Sequence, residues 1–361
     1  MTRSIPPLPI DRTHGGVDEV GNSAGLIDFS TNLNPLGPPP QAIEAYHQAV
    51  AELSLYPPPY PRRLEALIAE WLGIDPQFVL AGNGSTQLIH LLARVLKLRS
   101  PRVVIPTFSE IANALIAADS RPLPIATLAQ KNFRLDPAEV VAALESGADG
   151  IFLGRPNSPT GNLLSFDEVL AVATACHRHG AWCIFDEAFI EFAADTHSVI
   201  ALCADFPKLI VLRSLTKIFA IPGLRLGYLV THPNNTQMFR DAIEPWSVNV
   251  AAAAVASACL RSSERFIEAT LDLVANERRW IEDELGAMPR FRLFPAAANF
   301  IMLEVLGENA PGDFARHTRQ HGIVIRDLQA LPGCGPGFYR IGIRTRPDNE
   351  KLVAAASAYQ I

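Results

Sequence analysis

Lys217 is the residue whose chemistry most needs explaining. It lies in the run Arg213-Ser-Leu-Thr-Lys217-Ile-Phe-Ala-Ile-Pro-Gly223-Leu-Arg225, directly after an apolar stretch, Leu209–Leu212, that reads as a strand. In open α/β sheets, ligands bind at the carboxyl ends of the strands. A lysine amine placed there can form a Schiff base with an aldehyde cofactor. Its neighbours Ser214, Thr216 and Arg225 supply hydroxyls and a guanidinium suited to a phosphate. Taken alone, Lys217 would read as one more exposed lysine. Three further features overturn that.

Asp186 ends the apolar run Ala181–Phe185. An aspartate at a buried strand end costs desolvation energy unless a cation faces it. A protonated pyridine nitrogen is such a cation, and a carboxylate against it sustains the electron sink of pyridoxal phosphate. A helix cap or a structural ion pair would equally account for the aspartate by itself. Asn157 lies in Arg155-Pro-Asn157-Ser-Pro-Thr-Gly161, after the run Gly150–Leu153. Two prolines and a glycine fix that loop, so the Asn157 amide can point at a ring substituent; in isolation the motif is only a turn. Finally, Ala81-Gly82-Asn-Gly84-Ser85-Thr86 enters a helical pattern. Glycines before a helix expose N–H groups to an anion, and Ser85 and Thr86 add hydroxyl donors. The run matches neither a P-loop nor G-x-G-x-x-G. Each signal is modest, but four in this order, each at a strand end, are strong.

The elements that must position these residues are short apolar strands alternating with amphipathic helices. Candidate strands are Arg102–Ile105, Gly150–Leu153, Trp182–Phe185, Leu209–Leu212 and Leu226–Val230, and candidate helices are Thr86–Leu96, Ile111–Ala118 and Phe166–His177. The last opens with Ser165-x-x-Glu168, a capping box. Near-continuous apolar strands between helices predict a mostly parallel sheet covered on both faces. After Trp246, one long helical region from Val248 to about Leu285 leads to a strand Asn299–Glu304 and a helix near Asp313–Gln320. Strands Ile323–Arg326 and Phe338–Arg344 and a closing helix follow, a smaller α+β pattern. The first ~70 residues read as Pro-rich and irregular, wrapping the large domain or reaching a partner subunit. The expected division is an N-terminal segment over 1–40, a large α/β domain over 41–250 and a smaller α+β domain over 251–361.

The 361 residues carry 31 Lys and Arg against 37 Asp and Glu, a net charge of −6, with 48% hydrophobic and 19% charged residues. That excludes a disordered chain and argues against a nucleic-acid or membrane-surface protein, which would carry a basic excess. The 29 prolines exceed the roughly 18 expected at the usual ~5%, and so signal fixed loops. Cys176, Cys183, Cys203, Cys259 and Cys334 show no C-x-x-C spacing. Neither a disulfide framework nor a metal site is expected, and a reducing cytoplasm fits best. The N-terminus lacks the apolar core of a signal peptide. The most apolar stretch, Val248–Leu260, is short of the ~20 residues needed to span a bilayer.

With Lys217, Asp186, Asn157 and the Gly-rich turn at these places, the chain resembles fold-type-I pyridoxal-phosphate enzymes. The resemblance is to the aminotransferase superfamily, in the branch shared by histidinol-phosphate aminotransferases and threonine-phosphate decarboxylases. It covers essentially the whole chain from His14 onward. It implies that Lys217 carries the Schiff base, that Asp186 pairs with the pyridine nitrogen and that Asn157 bonds the ring oxygen. It further implies that Ser85, Thr86, Ser214 and Arg225 hold the cofactor phosphate and that Phe108 stacks on the ring. Tyr56, in Leu55-Tyr56-Pro57, matches a tyrosine that reaches the neighbouring subunit's cofactor phosphate, so a homodimer is implied.

The same resemblance addresses the substrate. Arg340, in Phe338-Tyr-Arg340-Ile-Gly, matches the arginine for the α-carboxylate, and Arg326 the one for a distal phosphate. Arg344 and Arg346 have no assignment from spacing. Histidinol-phosphate aminotransferases usually read D-E-A-Y where this chain has Asp186-Glu-Ala-Phe189. His14-Gly15-Gly16 and Phe29-Ser-Thr-Asn32-Leu-Asn34-Pro-Leu-Gly37, with Pro245-Trp-Ser-Val-Asn249, resemble the decarboxylases of cobalamin biosynthesis. That implies His14 and Asn32 or Asn34 beside Arg326 on a substrate phosphate. The activity implied is decarboxylation of L-threonine O-3-phosphate to (R)-1-amino-2-propanol O-2-phosphate, with histidinol-phosphate transamination the alternative.

Overall fold

The computed structural model describes residues 6–16, 25–193 and 198–360. Parts of the segment expected over 1–40, namely 1–5 and 17–24, therefore lie outside the described residues.

Strand periodicity explains the main layer. In Gly150–Gly154, Ile151 and Leu153 pack into one hydrophobic cluster, while Phe152 packs into another on the opposite face. Phe185 and Val211 follow the first pattern, Ile184 and Leu212 the second. Both faces are thus apolar, which is why the strands read as continuous hydrophobic runs. The seven strands lie in the order Val79–Gly82, Gly227–Thr231, Leu209–Ser214, Trp182–Asp186, Gly150–Gly154, Pro101–Ile105, Leu123–Ala126. Only Gly227–Thr231 runs antiparallel to its neighbours. Register places Gly154 beside Asp186 and Asp186 beside Leu212, so three adjacent carboxyl ends meet at one edge. The helix Phe166–Arg178 opens on the expected capping box: Ser165 Oγ accepts from the Glu168 N–H, and Glu168 accepts from the Ser165 N–H at 2.8 Å.

A second, antiparallel sheet has the order Arg326–Asp327, Phe338–Gly342, Phe300–Val305, Phe291–Leu293. Its core joins Phe29 to Ile301, Leu303, Phe314 and Ile341. The N-terminal segment is sewn to it: Ile27 and Asp28 pair in parallel with Ile323 and Val324, and the Gly342 N–H donates to Phe29 O at 2.7 Å.

Several expectations change. The helical region from Val248 is two helices, Val250–Arg261 and Glu264–Gly286. They part at Ser262, whose backbone leaves the helical region (φ −147°, ψ 43°) and whose hydroxyl donates to Ala258 O. The Pro-rich opening contains helices at Pro40–Ala49 and Arg62–Leu72; the prolines sit at or just before their first turns, where the missing N–H costs nothing. Strands Val79–Gly82 and Leu123–Ala126 were not anticipated, the second because Pro124 argues against a strand and is tolerated only at the sheet edge. The single strand expected over Ile323–Arg326 is two short pairings, Ile323–Val324 to the N-terminal strand and Arg326–Asp327 to Phe338–Gly342.

Behind the three strand ends lies a buried ion network. Glu187, fully buried, accepts from Arg155 Nη1 at 2.9 Å and from Arg213 Nη1 at 3.2 Å. Its carboxylate also takes the Val199 N–H and the Ser198 hydroxyl, and Arg213 Nη2 donates to Glu191 at 2.8 Å. Burial and satisfaction are both complete for Glu187, so removing it leaves two guanidiniums without a shared counter-charge. Glu187→Ala is expected to destabilise the protein by about 3–5 kcal/mol, read as a lowered urea midpoint; an unchanged midpoint contradicts the account.

Candidate active site

The strand ends open into a cavity of about 1120 Å³, its solvent-filled mouth included. From the large sheet it is lined by Ser85, Thr86, Phe108, Asp186, Ser214, Lys217 and Arg225; His14, Asn32, Arg326 and Arg340 close the other side.

An anion cradle forms where the helix Gly84–Leu96 begins. A Cβ at Gly84 would stand 2.6 Å from Arg225 Nη2, and one at Gly227 would stand 2.5 Å from the Ser85 nitrogen. Only glycine lets helix start, strand start and guanidinium approach so closely, and Gly84 also has φ +82°. The Ser214 and Thr216 hydroxyls lie 2.8 Å apart on the same side of the cavity. Helix N–H groups, hydroxyls and an arginine converging in this way suit a phosphate.

Burial, with the positive charges of Arg340 and Arg225 and against the charge of Asp186, pushes the Lys217 amine down to about 8. Burial likewise lifts Asp186 to about 6, against the Ala188 N–H it accepts at 3.0 Å and the charge of Lys217. A neutralisable amine and a carboxylate in want of a cation thus face the same space.

The far side is also unfinished. Arg340 donates to Ser158 Oγ at 3.0 Å and to Ser30 O at 2.6 Å, its Nε has no partner, and no ion pair of it occurs among the described residues. Burial pulls its guanidinium down to about 9, helped by the charge of Arg326 and opposed by Asp28. Among the described residues, Arg326 donates only to Thr13 O and Oγ1. Asn32, 4% exposed, has neither amide atom bonded. Asn34 is committed instead: its amide donates to Ile218 O and Thr270 Oγ1, and its oxygen accepts the Leu36 N–H. Of the two asparagines, Asn32 faces the cavity. Among the lining side chains, Lys217, Arg225, Arg326 and Arg340 face one carboxylate, Asp186. That surplus of positive charge calls for a ligand with several negative charges.

Two expected site residues lie elsewhere. Asn157 does not line the cavity: its amide donates to Pro106 O at 2.8 Å and Thr160 Oγ1 at 2.9 Å, and its oxygen accepts from Thr107. One amide hydrogen bond stays within the loop, at Thr160, and the other crosses to Pro106 O, while Ser158 lines the cavity there. Tyr56, 87% exposed, packs on Trp246 at 5.7 Å and reaches no part of this chain's own cavity. Thr13, Thr31, Thr107, Leu328 and Leu331 also line it and carried no sequence signal beyond proximity to a motif.

Residues 24–356 match the family model for class I and II aminotransferases, and the chain belongs to that family. It is 34% identical to the threonine-phosphate decarboxylase of Salmonella typhimurium, covering 95% of each chain. It is 29% identical to an adenosylcobalamin biosynthesis bifunctional protein of Leptospira interrogans, covering 95% of this chain and 40% of that one. The crystal structure of the histidinol-phosphate aminotransferase from Clostridium acetobutylicum superposes with a TM-score of 0.85 at 27% identity, over 92% of this chain and 98% of that one. The family's cofactor is pyridoxal 5′-phosphate, and the cradle, the depressed lysine and the uncompensated Asp186 fit it.

Only a neutral amine attacks an aldehyde. The apoprotein is therefore expected to capture pyridoxal phosphate at a rate that rises with pH, is half-maximal near pH 8 and levels off above. An ordinary lysine would still be gaining rate at pH 10. Stopped-flow absorbance on the wild type, with Lys217→Ala as the blank, checks this.

Proposed function

We propose that this chain decarboxylates L-threonine O-3-phosphate, releasing CO₂ and (R)-1-amino-2-propanol O-2-phosphate, as a step of cobalamin biosynthesis. The carrying observation is the pair of guanidiniums, Arg340 and Arg326, which have no carboxylate ion-pair partner among the described residues, at one end of a single cavity beside the unbonded Asn32. One suits an α-carboxylate and the other a phosphate ester. The cofactor half is assigned to 41–250, the substrate half to 1–40 and 251–361 together.

Pyridoxal phosphate supplies the sink for the electron pair left at Cα when a bond there breaks. Which bond breaks is governed by how the protein holds the substrate. Arg340 fixes the carboxylate, and Arg326, His14 and Asn32 fix the phosphate, so a substrate gripped at both ends loses rotation about its Cα. Asp186 keeps a negative charge against the ring nitrogen. Lys217, depressed to about 8, carries a proton near neutral pH, and either it or water supplies the proton that takes the place of CO₂ at Cα. Phe189 lines the cavity beside Asp186 without a hydroxyl, packed edge-on to Phe300 at 5.1 Å.

The partner is a second copy of the chain. Val50, Leu53, Leu55, Tyr56 and Trp246 are each half or more exposed on one surface, and the dimer would cover them and carry Tyr56 to the neighbour's cofactor phosphate. No helix among the described residues is long and apolar enough to cross a membrane; the proposed location is the cytoplasm.

The test is stoichiometric: CO₂ released from O-phospho-L-threonine without glutamate formed from 2-oxoglutarate. Consumption of histidinol phosphate with formation of glutamate would establish the aminotransferase instead. Arg326→Ala is expected to cut kcat/KM for the phosphorylated substrate about 10–100-fold, with little change for unphosphorylated threonine. In light scattering the protein should run at twice the chain mass, and Tyr56→Ala should weaken cofactor retention while Lys217 still reacts.

A further inference from the structure

The segment Asp11–Gly16 crosses the cavity mouth and is pinned on both sides. Toward the second sheet, Arg326 Nη2 takes Thr13 O and Oγ1, and the Gly16 N–H donates to Ser30 Oγ at 2.7 Å. A Cβ on Gly15 would meet Ser30 O at 2.4 Å, so the backbone lies flat against that strand end. Toward the large sheet, everything converges on the first turn of the helix Glu110–Ala117. Asn113 takes the Asp11 N–H and donates to Asp11 O, and His14 Nε2 stands 3.2 Å from Glu110 Oε1. That same oxygen accepts from Asn113 Nδ2 at 2.8 Å, which fixes the carboxylate. His90 Nε2, from the helix Gly84–Leu96, lies 3.6 Å from the second oxygen, and the His14 ring is 6.2 Å from Phe108.

We propose that Glu110 is the positioning residue for substrate phosphate recognition: it holds the His14 ring by Nε2 and so presents Nδ1 to the phosphate end of the substrate. The inference rests on the reading that Arg326, His14 and Asn32 receive a phosphate. Glu110 itself is not among the lining residues, which is the place expected of a group that acts through another. The chemistry follows from the imidazole inventory. A ring that gives its Nε2–H to a carboxylate has only Nδ1 left for a ligand, and Nδ1 donates to a phosphate when the ring carries both protons. The cation is then held between Glu110 on one side and the phosphate on the other. Without the carboxylate, His14 is a half-exposed ring on a strap, free to turn, and its ordering on substrate binding becomes an added cost. The same argument explains why a rigid histidine can come from an otherwise irregular leader: its rigidity is borrowed from a helix of the large sheet.

The experiment is a double-mutant cycle on the holoenzyme with O-phospho-L-threonine as substrate and inorganic phosphate as a binding probe. Glu110→Ala and His14→Ala are each expected to raise KM about 10-fold, and by the same factor in both. The double variant should be no worse than either single one, within about twofold. Phosphate affinity, measured by calorimetry, should fall by the same factor as KM rises in each. Glu110→Gln, which keeps an acceptor oxygen for Nε2–H, should recover part of the loss and serves if Glu110→Ala folds poorly. Additive effects of Glu110 and His14, or a loss confined to kcat with phosphate affinity intact, overturns the inference. If the wild type fails to prefer phosphothreonine to threonine, the proposed function itself is wrong; if that preference stands while the cycle is additive, only the role of Glu110 falls.

Discussion

One fully buried carboxylate organises the cofactor side of the cavity. Glu187 follows Asp186 and clasps Arg155 and Arg213, the residues that lead into the 156–161 loop and into Ser214-Leu-Thr-Lys217. Parallel pairing aligns the three strands, but it leaves their ends free to splay, because each continues into a loop with no ladder of its own. A shared counter-ion at the point of exit removes that freedom. Arg155 and Arg213 against Glu187 and Glu191 keep these buried charges paired behind the site.

The charge in front is deliberately unbalanced. Four cations face one carboxylate in a space partly shielded from water, where burial lowers Lys217, Arg326 and Arg340 and raises Asp186. Such a site is poorly satisfied by itself and well satisfied by a phosphorylated cofactor together with a doubly anionic substrate. The unbonded amide of Asn32 and the unpartnered Nε of Arg340 are the hydrogen-bonding side of the same incompleteness.

Much of this was legible in the sequence because strand ends are legible. A continuous apolar run marks a strand buried on both faces, and a Lys, Asp or Gly-Ser-Thr just past its end is placed by that alone. What failed is what depends on direction rather than location. In the 156–161 loop, adjacent residues face opposite ways, so composition could not say that Asn157 turns inward to Pro106 and Thr160 while Ser158 looks into the cavity. Likewise Asn32 and Asn34 are equivalent as letters, and only the proximity of Ile218 and Thr270 commits the second. Glu110 carried no signal at all, since its meaning lies in a partner 96 positions away in the chain. The two helices of the Pro-rich opening were hidden because proline reads as a breaker until its place in the first turn is known.

The division of labour within the cavity bears on reaction specificity. Residues from the large sheet line the part of the cavity that fits the cofactor, and on the proposed function those contacts would serve decarboxylation and amino transfer alike. The residues that differ in what they grip come from the two ends of the chain: His14 and Asn32 from the first segment, Arg326 and Arg340 from the second sheet. These ends are bonded to each other through the Ile27–Ile323 pairing, the Gly342 N–H on Phe29 O and Arg340 on Ser30 O. These anchors are therefore tied into one bonded body, whose first segment is tied as well to Asn113 and Glu110 on the large-sheet side. A change in which Cα bond is exposed needs no new catalytic group, only a different distance between carboxylate and phosphate anchors on that one body. On the proposed function, the anchors that would set reaction choice lie along the seam between the N-terminal segment and the second sheet.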